Sequence, residues 1–214
     1  MPLNETLDAL RAKMTSQAAA AFEEVMQRLD SRLLADNALK TGDVMPGFEL
    51  PNAEGKLVSS VELLRRGVLI VTFYRGSWCP YCMVTLQALD AMLTPVLERK
   101  ASLVALSPET GGRAQFVKSK YGLHYELLAD VDNAVAAQFG VLVRLPPRYR
   151  RLLLSRGIEA ETLHGGAGWF VPVPSTFVVA PNGIVVHAEI HVDFTRRTEL
   201  ETLPQALRAL WQNE

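Results

Sequence analysis

Cysteine is nearly absent: the 214 residues contain two, Cys79 and Cys82. Without a second pair, a zinc site built on four ligands lacks half its thiolates. The histidines do not make up the difference, because they are scattered at 124, 164, 187 and 191. His187 and His191 have a metal-binding spacing only on a helix, and their surroundings read as a strand. There they would stand roughly 13 Å apart at about 3.3 Å per residue. Both are expected on the surface, and neither a metal nor another cofactor is expected.

Excess charge is missing as well. The chain has 22 Lys+Arg against 23 Asp+Glu, a net charge of −1, which argues against a nucleic-acid or anionic-membrane partner. No apolar run reaches the roughly 20 residues of a membrane span. The opening Met1-Pro2-Leu3-Asn4-Glu5 lacks the basic-then-apolar pattern of a secretory signal, so a cytoplasmic location is expected. Internal repeats and low-complexity tracts are absent. With 49% hydrophobic residues, the chain can bury a substantial core in one domain with an extension.

What is present centres on Trp78-Cys79-Pro80-Tyr81-Cys82. The preceding Gly67–Tyr74 is a continuous apolar, β-branched run that reads as a buried parallel strand. After it, Leu86, Leu89 and Leu93 fall at helical spacing from Met83 onward. The cysteines therefore belong at a strand-to-helix junction, with Pro80 suited to the first helical position. Cys79 would sit at the positive end of the helix dipole, beside amides without helical partners. That placement can lower a thiol from about 8.5 to roughly 3.5–7.5. Cys82, one turn inside, is in reach of a disulfide or sulfenic acid on Cys79. A static disulfide would close so short a loop that it constrains the unfolded chain little, and in a reducing compartment such a pair is more often catalytic. Arg75 could add positive potential, or be a plain exposed loop arginine.

Two regions flank this junction. Residues 1–40 read as helical, with Leu3, Leu7, Leu10, Met14, Phe22, Val25, Met26, Leu29 and Leu33 at three- and four-residue steps. This amphipathic arm packs on its own domain or on a second subunit, so a homodimer is allowed. From Thr41 to 214 the pattern is α/β: a turn at Asn52–Gly55, a short helix near Ser60–Arg65, and strands at Ser102–Ser107 and Glu126–Leu128. Helices are expected after Gly111-Gly112 to Tyr121 and over Asn133–Phe139. Arg144, Arg148, Arg150 and Arg151 flank two prolines and suit a solvated helix start, or else an anion or protein contact. Gly165-Gly166-Ala167-Gly168 is a lid or a simple loop, and lacks the Lys-Ser/Thr ending of a phosphate loop. Val171–Val179 reads as one strand, followed by a hairpin turning at Pro181-Asn182-Gly183 into Ile184–His191.

Phe73-Tyr74-Arg75-Gly76-Ser77-Trp78-Cys79-Pro80-Tyr81-Cys82, followed far downstream by Pro174-Ser175-Thr176-Phe177-Val178-Val179, resembles the thioredoxin fold. Residues 41–195 are similar to the peroxiredoxin-like branch of the alkyl hydroperoxide reductase/thiol-specific antioxidant superfamily. Gly42–Pro51, Trp169–Phe177 and Val192-Asp193-Phe194-Thr195-x-Arg197 also carry the likeness. It implies a mixed central sheet flanked by helices, preceded by the helical extension. It further implies that Pro174 is a cis proline opposite the cysteines, turning the N–H and C=O of Val173 toward a substrate chain. Trp78, Pro80, Tyr81 and Arg75 would complete that groove.

Three departures accompany the likeness. The family's threonine three residues before the reactive cysteine is replaced by Gly76, and its arginine before the late strand by Pro174. The buried carboxylate of thioredoxin-like enzymes is replaced by Phe73; Glu109 and His164 are the candidates for a proton acceptor. The expected activity is that of a thiol oxidoreductase. Cys79 attacks a hydroperoxide, or alternatively a protein disulfide, and Cys82 resolves it to a disulfide. A dithiol donor such as a thioredoxin or glutathione system then reduces the pair. A non-enzymatic redox-sensing binding protein is the third reading.

Overall fold

The structure is a computed structural model that describes residues 3–28, 34, 36–91, 101–166 and 168–197. Two helices open it, α1 (Leu3–Ala12) and α2 (Ser16–Arg28). The apolar steps run through this segment without interruption, yet the helix breaks at residues 13–15. There the Thr15 hydroxyl accepts the Ala18 amide at 3.3 Å, a side-chain cap that starts a new helix. Leu29 and Leu33 lie outside the described residues.

A hairpin follows, β1 (Glu49–Pro51) paired antiparallel with β2 (Leu57–Ser59). Its turn is closed by the Asn52 side-chain oxygen, which accepts the amides of Glu54 at 3.1 Å and Lys56 at 2.8 Å. After α3 (Ser60–Arg66) comes the central strand β3 (Leu69–Phe73), buried at every position. The helix α4 (Pro80–Ala91) then leads to β4 (Ser102–Ser107), α5 (Arg113–Tyr121) and β5 (Glu126–Ala129). Leu93 is outside the described residues. The remaining elements are α6 (Ala134–Gln138), β6 (Leu142–Arg144), α7 (Pro147–Ser155), α8 (Ala160–Leu163), β7 (Phe170–Pro172), β8 (Ser175–Val179) and β9 (Val185–Ile190).

Five strands form the central sheet in the order β5-β4-β3-β8-β9. β3, β4 and β5 run parallel, whereas β8 joins β3 antiparallel and β9 pairs antiparallel with β8 at the edge. This is the mixed, helix-flanked sheet of the thioredoxin fold. Side-chain alternation divides it into two cores. Leu69, Val71 and Phe73 face Phe139 and Phe177 on one side, while Ile70 faces Leu86, Val117 and Leu127 on the other. Leu3, Leu7, Phe22 and Val25 of the first two helices join that second core. Fully burying each such side chain stabilises by roughly 1.5–3 kcal/mol.

The single strand expected over Val171–Val179 is two. β7 pairs with β6, a strand the sequence pattern did not reveal, while β8 enters the central sheet. The chain changes sheets at Val173-Pro174, where proline has no N–H to continue a ladder.

Candidate active site

At the end of β3 the Tyr74 amide still bonds the Leu106 carbonyl at 3.0 Å, extending the strand by one residue. The chain then turns through Gly76, whose φ of +142° favours glycine. The Cys79 amide donates to the Gly76 carbonyl at 3.1 Å, and the Met83 amide returns to the Cys79 carbonyl at 3.1 Å. Cys79 is thus the capping residue of α4. Its sulfur takes the place of a capping oxygen, accepting the Cys82 amide at 3.4 Å and the Cys82 thiol at 2.8 Å. Both cysteines are free, and they are 2% and 0% exposed.

The two sulfurs are electrostatically unequal. Burial pushes Cys79 up, but the Cys82 thiol, Arg75, the Cys82 amide and Arg197 outweigh it and draw the group down to about 6. Burial and the neighbouring Cys79 hold Cys82 well above the ordinary thiol range. The arrangement is therefore one thiolate beside one thiol.

Arg75 is no exposed loop residue: it is 2% exposed, and none of its three nitrogens has a hydrogen-bond partner. Its guanidinium lies over Phe194 at 3.9 Å, Trp78 at 4.7 Å and Tyr149 at 5.0 Å. Each face is worth about 0.5–2 kcal/mol, against the several kcal/mol that desolvating an ion costs. Tyr149, and after it Cys79 and Cys82, add the electrostatic support that keeps the guanidinium charged.

Glu109, at the end of β4, fixes the motif loop by accepting the Ser77 amide at 2.7 Å and the Ser77 hydroxyl at 2.8 Å. Burial raises its pKa against those donors. A Cβ on Gly76 would fall 2.6 Å from Trp78 Nε1 and 3.0 Å from the Glu109 carboxyl carbon. This explains why threonine has no room at position 76. His164 is fully buried with its ring 6.5 Å from that of Trp78. Burial lowers it to about 4, so the ring is neutral and weakly basic, which does not suit a proton acceptor.

Trp78, Cys79, Pro80 and Tyr81 line one cavity of about 200 Å³, roofed by Leu10 and Met14 of the N-terminal segment and bounded by Tyr149 and Phe194. Val173 and Pro174 line a separate hollow of about 10 Å³ behind Arg75. The described residues contain no cis peptide bond, which corrects the cis proline expected at Pro174. The Val173 amide donates to the Val141 carbonyl at 2.7 Å, and its carbonyl accepts the Ser175 hydroxyl at 3.0 Å. That backbone is committed to the β6–β7 junction rather than offered to a substrate chain. A larger hollow of about 490 Å³ beside α2 and β6 is lined by no cysteine.

The other candidates are accounted for locally. His187 and His191 are half-buried and share Glu189, at 3.8 Å and 2.7 Å. Arg150 donates through Nε to the Leu145 carbonyl at 2.7 Å, ahead of the helix that begins at Pro147. No His/Cys/Asp/Glu group able to hold a metal occurs among the described residues. No helix there is long and apolar enough to cross a membrane.

Comparison with known proteins gives consistent likenesses. The AhpC/TSA family pattern matches residues 41–188. Peroxiredoxin Bcp of Escherichia coli (strain K12) is 30% identical over 105 residues, 49% of this chain and 67% of that protein. A putative peroxiredoxin bcp of Buchnera aphidicola subsp. Schizaphis graminum is 31% identical over 103 residues, 48% of this chain and 65% of that one. The chain thus spans about two thirds of the length of these relatives. Among solved structures, peroxidoxin BcpB from Mycobacterium tuberculosis superposes with a TM-score of 0.63 at 24% identity, covering 80% of this chain and 98% of that one.

Proposed function

The chain belongs to the AhpC/TSA family, and from that premise we propose that it is a thiol peroxidase acting through Cys79 and Cys82. The observation that carries this is the pair of free cysteine sulfurs 2.8 Å apart at the α4 N-terminus. The Cys79 thiolate attacks the terminal oxygen of a hydroperoxide. An S–O bond forms, the O–O bond breaks, and the departing alkoxide or hydroxide takes a proton to leave as alcohol or water. Arg75 keeps the attacking sulfur ionised and, with Trp78 and Tyr149, shapes its surroundings. Cys82 then attacks the Cys79 sulfenic acid. An S–S bond forms, the S–O bond breaks, and the Cys82 proton leaves with the hydroxide as water. The sulfurs already adjoin, so resolution needs no large rearrangement.

A dithiol donor of the thioredoxin or glutathione type completes the cycle by exchange with the disulfide, in a cytoplasmic setting. Within the extension over 1–40, α1 and the start of α2 serve as the roof of the site on the domain over 41–214. Exchange on protein disulfides and non-enzymatic sensing are not favoured, because the relatives that this chain resembles are named as peroxiredoxins.

The test is peroxide consumption by pre-reduced protein. One hydroperoxide should disappear per thiol pair, Cys79→Ser should abolish the reaction, and Cys82→Ser should accumulate a trappable sulfenic acid. Full turnover by Cys79→Ser would overturn the assignment.

A further inference from the structure

Cys82 sits in the core with a pKa held high, yet resolution requires its sulfur to develop negative charge. Arg75, within the motif stretch, supports that charge less strongly than a second cation does. Arg197 reaches it from 115 residues away, with Nη2 4.0 Å from the Cys82 sulfur and only 9% exposure. We propose that Arg197 is a catalytic residue of the resolving step, its guanidinium stabilising the Cys82 sulfur as it attacks oxidised Cys79. This rests on the reading of Cys82 as the resolving cysteine.

Several independent contacts hold Arg197 in place. Its backbone amide donates to the Asn4 side-chain oxygen of α1 at 3.3 Å, and Nη1 donates to the Phe194 carbonyl at 3.1 Å. The segment carrying it is tied to the same helix by Arg11, which reaches Asp193 at 3.0 Å and Thr195 at 3.2 Å. Phe194 packs edge-on against Phe22 at 5.2 Å and Tyr149 at 5.6 Å. The groups facing Arg197 electrostatically are the two cysteines, Arg75 and Glu189. The two arginines divide the work: Arg75 acts more strongly than Arg197 on Cys79, and Arg197 more strongly than Arg75 on Cys82. A chain lacking the usual family arginine at position 174 thus carries two cations, each acting more strongly than the other on a different sulfur.

The experiment separates the two sulfurs without using peroxide. In the full-length reduced protein, 2,2′-dithiodipyridine is attacked by Cys79, releasing one thiopyridone. Cys82 then attacks the Cys79 sulfur of the mixed disulfide, releasing the second. Above ambient pH, each unit of pKa rise costs tenfold in thiolate but regains roughly threefold in nucleophilicity. A two-unit rise in Arg197→Met should therefore slow the second release about tenfold. The first release should change by less than about threefold, since Arg75 remains beside Cys79. Arg197→Lys should restore most of the second rate, and Asn4→Ala should slow the second release alone by a smaller factor. An unchanged second release in Arg197→Met, or equal slowing of both releases in all three variants, would overturn the proposal. In a parallel hydrogen peroxide reaction, an inert wild-type protein would overturn the peroxidase reading while leaving the thiopyridone comparison decisive for Arg197.

Discussion

Replacing Arg75 by methionine keeps a long apolar stem inside the aromatic cage and removes the buried charge. The change removes the guanidinium's interactions with the Tyr149 hydroxyl and the Cys79 sulfur. It also removes the desolvation penalty of a buried ion, so the fold should tolerate it. The cost should fall on Cys79. An opposite charge close by typically lowers an acidic group by roughly 1–3 units, about 1.4 kcal/mol each. From about 6, a two-unit rise would take the thiolate share at pH 7 from about nine-tenths to about one-tenth. Thiolate absorbance at pH 7 should fall roughly tenfold and recover by about pH 9, and the pH–rate profile of the single-turnover reaction with hydrogen peroxide should move up by the same interval. The stability profile should change in step. Cys79 ionises more easily folded than unfolded, so its contribution is complete above the ordinary thiol value of about 8.5 and is lost as pH falls towards 6. Arg75→Met should flatten that slope. The pH–rate profile and the thiolate ultraviolet absorbance measure the same shift. A Cys79 pKa within about 0.3 units of wild type would refute the assignment of Arg75 as the counter-ion.

Other consequences concern the frame around the sulfurs. Gly76→Thr, which would reinstate the family residue, should destabilise by about 1–3 kcal/mol through backbone strain alone, with more from the contact at Trp78 Nε1. Urea unfolding should show it, and peroxide reactivity should not rise. Glu109→Gln removes a buried negative charge near Cys79, so the thiolate titration should move slightly lower. Unfolding should show a loss of about 1–2 kcal/mol from the weakened Ser77 bonds. Arg11→Ala breaks a partly exposed ion pair worth about 0–1 kcal/mol, yet it releases the 193–195 segment over the site. Alkylation of Cys79 by iodoacetamide should accelerate while the melting temperature barely falls.

The strand, the cysteine pair and the helix after it were legible because three local signals agree there: a β-branched apolar run, Pro80 at a helix start, and leucines at helical spacing. The Asn52–Gly55 turn and the hairpin at Pro181-Asn182-Gly183 were legible for the same reason, since turn residues act locally. What sequence periodicity missed depends on distant partners. β6 is three residues long and exists because β7 pairs with it. The apolar character of Val171–Val179 is common to both sheets it visits, so only Pro174 marked the break. A charged side chain is ordinarily exposed, which left the burial of Arg75 unforeseen. Arg197 lay in a stretch noted for family likeness, with no local sign that it reaches Cys82. The cis proline came from resemblance alone, and the trans backbone here follows Val173 into its bond with Val141.

The central claim is that Cys79 is a peroxide-reactive thiolate resolved by its neighbour. It is tested most directly by mixing pre-reduced protein with one equivalent of hydroperoxide in a stopped-flow instrument. Trp78 fluorescence would be followed, with free thiols counted in quenched samples. The account predicts loss of both thiols in one rapid turnover, well above the rate of an ordinary free cysteine, ending in a Cys79–Cys82 disulfide. Thiol loss no faster than that of free cysteine would contradict it.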